Sequence, residues 1–178
     1  MAKVSCQRIL HFLNLCENAQ TTTERGRALE ELICYVFPKI PGISIKRRNK
    51  LNVFKTEEID VAFWNDKVPR GLSFLPNIIL VECKNWLKPV SSMEVNWFDT
   101  KLKNRGLTFG ILIAANGITG SPHEQTSAHN IIANALREQR QIVVLTRQEI
   151  EIITDTVQII ELFKEKLCEL AVAGTAFA

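Results

Sequence analysis

Two acids and a lysine lie within apolar, strand-like segments, where charge is costly to place. The run Asn77-Ile78-Ile79-Leu80-Val81-Glu82-Cys83-Lys84-Asn85-Trp86 follows Pro76 and is β-branched and apolar until it sets a carboxylate and an amine two residues apart. Alternation along a strand sends Glu82 and Lys84 to one face and Val81 and Cys83 to the other. Upstream, the segment Glu57-Glu58-Ile59-Asp60-Val61-Ala62-Phe63-Trp64 holds Asp60 inside a second apolar run. Sequential strands usually lie side by side, and opposed residues on antiparallel neighbours are about 4.5–5.5 Å apart at their α-carbons. Asp60 and Glu82 can therefore share a cation. With no histidine pair or cysteine cluster nearby, two carboxylates favour a hard ion, Mg²⁺ or Mn²⁺, over zinc. Such an ion acidifies a water and neutralises charge on a phosphodiester, while Lys84 would orient that water, deprotonate it, or stabilise the developing charge. The competing reading is a structural ion pair between Glu82 and Lys84, for which residues two apart on a strand are less well placed than cross-strand neighbours.

The surrounding pattern supplies elements to position these groups. Residues 4–16 read as a short amphipathic helix. A second helix opens at Thr21-Thr22-Thr23-Glu24 as a capping box, buries Leu29, Leu32, Ile33, Val36 and Phe37, and ends before Pro38. On it Glu30 turns inward, Glu31 is the solvated acid, and Gly26 leaves room beside Glu30. Ile43, Ile45, Leu51 and Val53 alternate around Lys46-Arg47-Arg48-Asn49-Lys50, which predicts an edge hairpin with a basic tip. After the strand at 77–84, Ser91 with Glu94 predicts a capping box. The helix it opens buries Val95, Phe98 and Leu102, carries Lys101, Lys103 and Arg105 near its end, and stops at Gly106. Phe109 to Ala115 read as a strand covered on both faces. Ser121-Pro122-His123-Glu124 predicts a helix start, 142–145 a last strand, and Val157 to Leu170 a C-terminal helix before a small-residue tail. Early antiparallel strands followed by strand–helix–strand crossovers predict an α/β fold with a mixed central sheet flanked by helices.

Composition narrows the class. The chain has 178 residues, 46% hydrophobic and 23% charged, which suits one globular domain. We divide it into an N-terminal helix extension at 1–20, a core at 21–147, and a C-terminal helix and tail at 148–178. Five widely spaced cysteines without a CxxC pair argue against a disulfide framework or zinc knuckle and suggest a reducing, cytoplasmic setting. His11 and Asn14 interrupt the N-terminal apolar stretch, which argues against a signal peptide, and no run is long enough to span a bilayer. A net charge of +3 is too small to prove a nucleic-acid partner.

Asp60 followed by Glu82-Cys83-Lys84 at the end of a hydrophobic strand resembles the Asp…Glu-x-Lys signature of the PD-(D/E)xK nuclease superfamily. The wider pattern resembles its Mrr-like restriction endonuclease branch: Gly26-x-x-x-Glu30, Glu58-Ile59-Asp60, Val81-Glu82-Cys83-Lys84-Asn85-Trp86, and Gly110-Ile111-Leu112-Ile113 leading to Gly117-Ile118-Thr119. The resemblance covers about residues 22–147 and implies a restriction-endonuclease-like core. It further implies that Asp60, Glu82 and the Cys83 carbonyl bind Mg²⁺ (or Mn²⁺) and that Lys84 assists the attacking water. Glu30, turned inward on the neighbouring helix, is the further catalytic candidate, placed to hold a metal-bound water or a second ion. Glu58-Ile59 stands where the signature names a proline, a departure common in that branch.

The implied activity is metal-dependent hydrolysis of DNA phosphodiesters, in restriction or genome defence. The alternatives are a non-catalytic nucleic-acid-binding or scaffold protein of the same fold, or a repair, junction or RNA-directed nuclease of the same superfamily. The expected partner is nucleic acid, DNA first, with no membrane. A homodimer or a recognition subunit would supply what a single site lacks, since a separate DNA-binding domain is not evident in this sequence. Lys46-Arg47-Arg48-Asn49-Lys50 and the cations of the third helix are candidate phosphate contacts or simply solvated faces. Trp86 and Trp97 read as packing residues before base-stacking ones. His123 and His129 are poorly spaced for shared metal ligation.

Overall fold

The computed structural model describes residues 2–51, 57–121 and 126–174. Five strands form one mixed sheet in chain order. β1 (Ile43–Leu51), β2 (Glu58–Asn65) and β3 (Ile78–Lys84) are antiparallel neighbours, and β4 (Phe109–Ala114) and β5 (Gln141–Leu145) continue the sheet parallel to β3. α3 (Ser92–Asn104) joins β3 to β4, and α4 (Ser127–Arg137) joins β4 to β5. Parallel crossovers in one direction keep one hand, so both helices cover the same face. α1 (Cys6–Asn18), α2 (Thr22–Val36) and α6 (Thr156–Ala173) pack on the other, with the short α5 (Arg147–Glu151) after β5. β4 is buried along its whole length, as a strand covered on both faces must be.

Two packing features fix where the helices stand. On the α2 side, Phe37 stacks on Phe63 with ring centroids 5.2 Å apart. On the α3 side, a Cβ at Gly110 would come within 2.7 Å of the Phe98 ring and 2.8 Å of Leu102. The missing side chain at Gly110 lets α3 lie close against the sheet, and this brings the polar residues of α3 toward β3. The β2–β3 connection is held from within: Asn65, fully buried, donates to the carbonyls of Leu72, Leu75 and Pro76.

The expected stripes of α2 and α3 are buried as read. Thr21 and Glu24 form the expected reciprocal cap, the Thr21 side chain taking the Glu24 N–H while Glu24 accepts from the Thr21 N–H. Other expectations change. The basic run is not a hairpin tip. Lys46-Arg47-Arg48-Asn49-Lys50 lies along β1, one edge strand that pairs with β2 and carries a register irregularity between Ile45 and Arg47; Val53 lies outside the described residues. At α3, Ser91 caps the Glu94 N–H, but the Glu94 carboxylate turns to Lys84 instead of closing a capping box. The helix start expected at Ser121-Pro122-His123-Glu124 falls largely outside the described residues. The described helix runs from Ser127, with Thr126 as its N-cap. α6 extends to Ala173, where Gly174 closes it in a left-handed conformation at φ +72°.

Candidate active site

β2 and β3 place Asp60 and Glu82 as neighbours. Their register pairs Val61 with Val81 and Ala62 with Leu80, and one step further sets Asp60 opposite Glu82. Asp60 Oδ2 accepts the Cys83 N–H at 2.7 Å, so the acid bonds directly to the strand that carries the other site groups. Burial, and then the charge of Glu82, push the Asp60 carboxyl up to about 7, with Glu30 adding to the rise and the Cys83 N–H and Lys101 opposing it.

Glu82 is buried and doubly ion-paired. Lys101 Nζ, reaching across from α3, donates to Oε1 at 2.8 Å and Oε2 at 2.7 Å. Lys84 Nζ lies 3.1 Å from Glu82 Oε1 and 3.0 Å from Glu94 Oε2. The Glu82–Lys84 ion pair weighed as a structural alternative is thus present, and it is one link of a longer chain. Burial pulls the Lys84 amine down, but Glu82 and Glu94 outweigh it and leave the group above the ordinary lysine value. In this arrangement Lys84 is held as an ammonium between two carboxylates.

Glu30 approaches from α2, as expected. Its carboxyl is raised by burial, against a hydrogen bond from Asn49 and the charge of Arg48, and its Oε2 is buried without a partner. Glu31 is less free than expected: Arg48 Nη2 reaches it from β1 at 2.7 Å. A Cβ at Gly26 would meet nothing within 4 Å, so the space beside Glu30 is open. Asn85 ties the end of β3 to α2 by donating to the Arg25 carbonyl at 3.1 Å.

A cleft of about 230 Å³ opens over the Glu82–Lys84 part of this cluster, lined by Glu57, Glu58, Glu82, Lys84, Glu94, Trp97 and Lys101, while neither Asp60 nor Glu30 lines it. A larger cavity of about 660 Å³ lies between the β2–β3 connection and α6, and none of the site acids lines it. Size and chemistry disagree here, and the charged groups favour the smaller cleft. Trp86 and Trp97 are exposed, with Lys84 Nζ 5.6 Å from the Trp86 ring centroid.

Sequence reasoning missed Glu94 and the pairing of Lys101 with Glu82. Glu94 reads as half of a cap, and Lys101 as one of the third-helix cations that either meet phosphate or face solvent. The signal lay in their spacing: Glu94, Phe98 and Lys101 recur at four and three residues, so both charged groups share the flank of buried Phe98. Of the other cations expected near phosphate, Lys103 pairs with Glu138 and Arg105 with Glu57. His129 is buried on α4 and His123 lies outside the described residues.

Among the described residues no group of three or more His, Cys, Asp or Glu side chains forms a ready metal cage. The oxygens of Asp60 and Glu82, with the expected Cys83 carbonyl, would offer an all-oxygen donor set of the kind that suits a hard divalent ion retaining water. Glu30 Oε2 is a buried carboxylate oxygen without a hydrogen-bond partner, and burial, more than the charge of Glu82, raises the Asp60 carboxyl. The residues therefore fit such an ion.

A mixed sheet with helices on both faces, and acids at adjoining strand ends, define an α/β domain of the restriction-endonuclease-like class. Residues 23–150 match the restriction endonuclease family in its Mrr catalytic-domain form, and the chain belongs to that family. Its nucleases act on nucleic acid and typically use a divalent metal. No curated protein matches the chain. No helix among the described residues is long and apolar enough to cross a membrane.

Proposed function

We propose that this protein is a metal-dependent DNA endonuclease of restriction or defence type. The observation that carries the reading is Asp60 set beside Glu82, with the Lys84 ammonium 3.1 Å from Glu82. Asp60, Glu82 and the Cys83 carbonyl would hold Mg²⁺ or Mn²⁺. When bound, the ion supplies an acidified water and neutralises charge on the phosphodiester. Lys84 orients the nucleophile and stabilises negative charge as it builds on the phosphate, and Glu94 holds Lys84 in place. Asp60 would bind the ion as a carboxylate, so metal binding would compete with the proton that burial and Glu82 favour on it. Glu30, whose charge is felt by Asp60, would hold a metal-bound water or a second ion from the α2 side.

Residues 21–147 would carry the chemistry, braced by the N-terminal helix and by 148–178, in a cytoplasmic protein. One site cuts one strand, so double-strand cleavage calls for a homodimer or sequential nicks, with recognition assisted by a partner.

The test is incubation of purified protein with plasmid, single-stranded DNA and RNA in Mg²⁺, Mn²⁺ or EDTA. The expected result is metal-dependent DNA cleavage that Asp60→Ala and Lys84→Ala abolish. Cleavage that survives either substitution sinks the site assignment, and cleavage confined to RNA or branched DNA redirects the substrate. A second reading draws on one observation: two lysines already neutralise Glu82. Metal-independent nucleic-acid binding with no cleavage of any substrate would favour that non-catalytic role.

A further inference from the structure

Four charged side chains follow one another along the cleft in the order Lys101, Glu82, Lys84, Glu94. Lys101 covers both oxygens of Glu82, and the pair is largely removed from water, with side-chain exposures of 12% and 6%. Lys84, between two acids, keeps Glu94 if Glu82 is taken away. Lys101 differs: among the described residues its ammonium hydrogen-bonds to Glu82 alone. The nearby acid Glu57 is held by Arg105 and Asn104.

A divalent ion ligated by Glu82 needs the oxygens that Lys101 covers, so ion and ammonium compete for one carboxylate. The ion also repels the ammonium at close range. A lysine is a compact charge on a flexible four-carbon stem, able to swing where an arginine fork would resist. Lys101 lines the cleft together with Trp97, so the space into which its head group would swing borders its side chain. The anion brought within reach at that moment is the phosphodiester presented to Lys84.

We propose that Lys101 is a second active-site lysine with two positions: it holds Glu82 until a divalent ion takes that carboxylate, then turns to the phosphate of the bound strand. This rests on the metal-dependent nuclease reading above. It gives the site a way to keep Glu82 ordered before loading and to add a cation at the phosphate only once the ion is in place.

The test is a calorimetric Mn²⁺ titration of the wild type, Lys101→Gln and Lys101→Arg without nucleic acid, paired with single-turnover cleavage at saturating Mn²⁺. Removing the competitor should tighten Mn²⁺ binding about tenfold in Lys101→Gln, while the cleavage rate at saturation falls about 10²-fold. Lys101→Arg, whose fork grips the carboxylate harder, should bind Mn²⁺ more weakly than the wild type and recover part of the cleavage rate at high Mn²⁺. A merely structural lysine moves binding the other way, because a loosened Glu82 is a poorer ligand. Equal or weaker Mn²⁺ binding by Lys101→Gln overturns the proposal, as does tighter binding with unchanged cleavage. Should Lys101→Gln fail to fold, Lys101→Arg decides: weaker Mn²⁺ binding supports the proposal and equal or tighter binding overturns it. Wild-type protein that neither binds Mn²⁺ nor cuts overturns the nuclease reading as well. Mn²⁺-dependent cleavage by the wild type, with no gain in affinity in Lys101→Gln, overturns this inference alone.

Discussion

Asp60 takes the Cys83 N–H at 2.7 Å, while Glu82, its neighbour across the strand pair, is gripped by Lys101 and Lys84. Two carboxyl groups side by side are thereby given opposite surroundings. One is short of positive charge, and the other is supplied with two ammonium groups.

That asymmetry makes stability depend on pH through Asp60. Its carboxyl stands at about 7 against an ordinary value of 3.8, raised by burial and then by Glu82. A group that holds its proton more tightly when folded favours the folded state below its unfolded value and loses that advantage as pH rises through its folded one. The loss therefore falls between about pH 4 and pH 7, with each tenfold in proton affinity equivalent to ~1.4 kcal/mol. Asp60→Asn keeps an acceptor for Cys83 and removes the charge. It should stabilise the protein at pH 8 by about 1–3 kcal/mol, raising Tm by roughly 3–8 °C, with the gain vanishing near pH 4. Melting curves at pH 4, 6 and 8 check this, and a gain independent of pH would refute it.

Glu94 pairs with Lys84 at 3.0 Å, on the far side of that ammonium's contact with Glu82 in the chain of ion pairs. Glu94→Gln should lower the single-turnover cleavage rate about tenfold and leave Mn²⁺ affinity unchanged, whereas Lys84→Met should cost about 10²–10³-fold. If Glu94→Gln loses metal binding in step with cleavage, Glu94 is a ligand and not a positioning residue.

Gly26 lies within α2, and nothing lies within 4 Å of where its Cβ would sit. Gly26→Ala should therefore raise stability by about 0.5–1 kcal/mol. Gly26→Leu fills the space beside Glu30 and should weaken DNA binding about tenfold, as read by fluorescence anisotropy. Unchanged affinity in the leucine variant would place the nucleic acid elsewhere.

The exposed cations of β1 separate from the paired one. Lys46, Arg47 and Lys50 are exposed, while Arg48 is tied to Glu31. Lys46→Gln and Lys50→Gln should each reduce the slope of log K against log salt by about one, if each meets a phosphate. Arg48→Ala should leave that slope unchanged and lower the melting temperature, because it leaves Glu31 without its partner. A slope unmoved by either lysine substitution would make the strand a solvated edge.

Much of the fold follows from local rules that the chain states openly. The apolar runs ending in Glu82-Cys83-Lys84 and around Asp60 already imply neighbouring strands, since alternation puts the charged side chains on one face and apolar neighbours demand burial. The cap at Thr21 and Glu24 and the stripe of α2 depend only on residues within a turn of each other, and they form as written. The inward turn of Glu30 follows from the same spacing.

What the tertiary structure alone decided lies between elements. Periodicity puts Glu94 and Lys101 on the flank of Phe98 but says nothing of what that flank will meet. Only the close seating of α3 over Gly110 aims Lys101 at Glu82 and draws Glu94 from its cap to Lys84. The basic run on β1 was misread for a related reason: pairing with β2 and the reach of Arg48 to Glu31, 17 residues away, make it a strand and not a turn. The sequence by itself determined that Asp60, Glu82 and Lys84 would stand together on neighbouring strands, because burial and alternation are local. Which further charges would complete the site was decided by helix packing, because an ion pair across elements depends on distances that no spacing along the chain specifies.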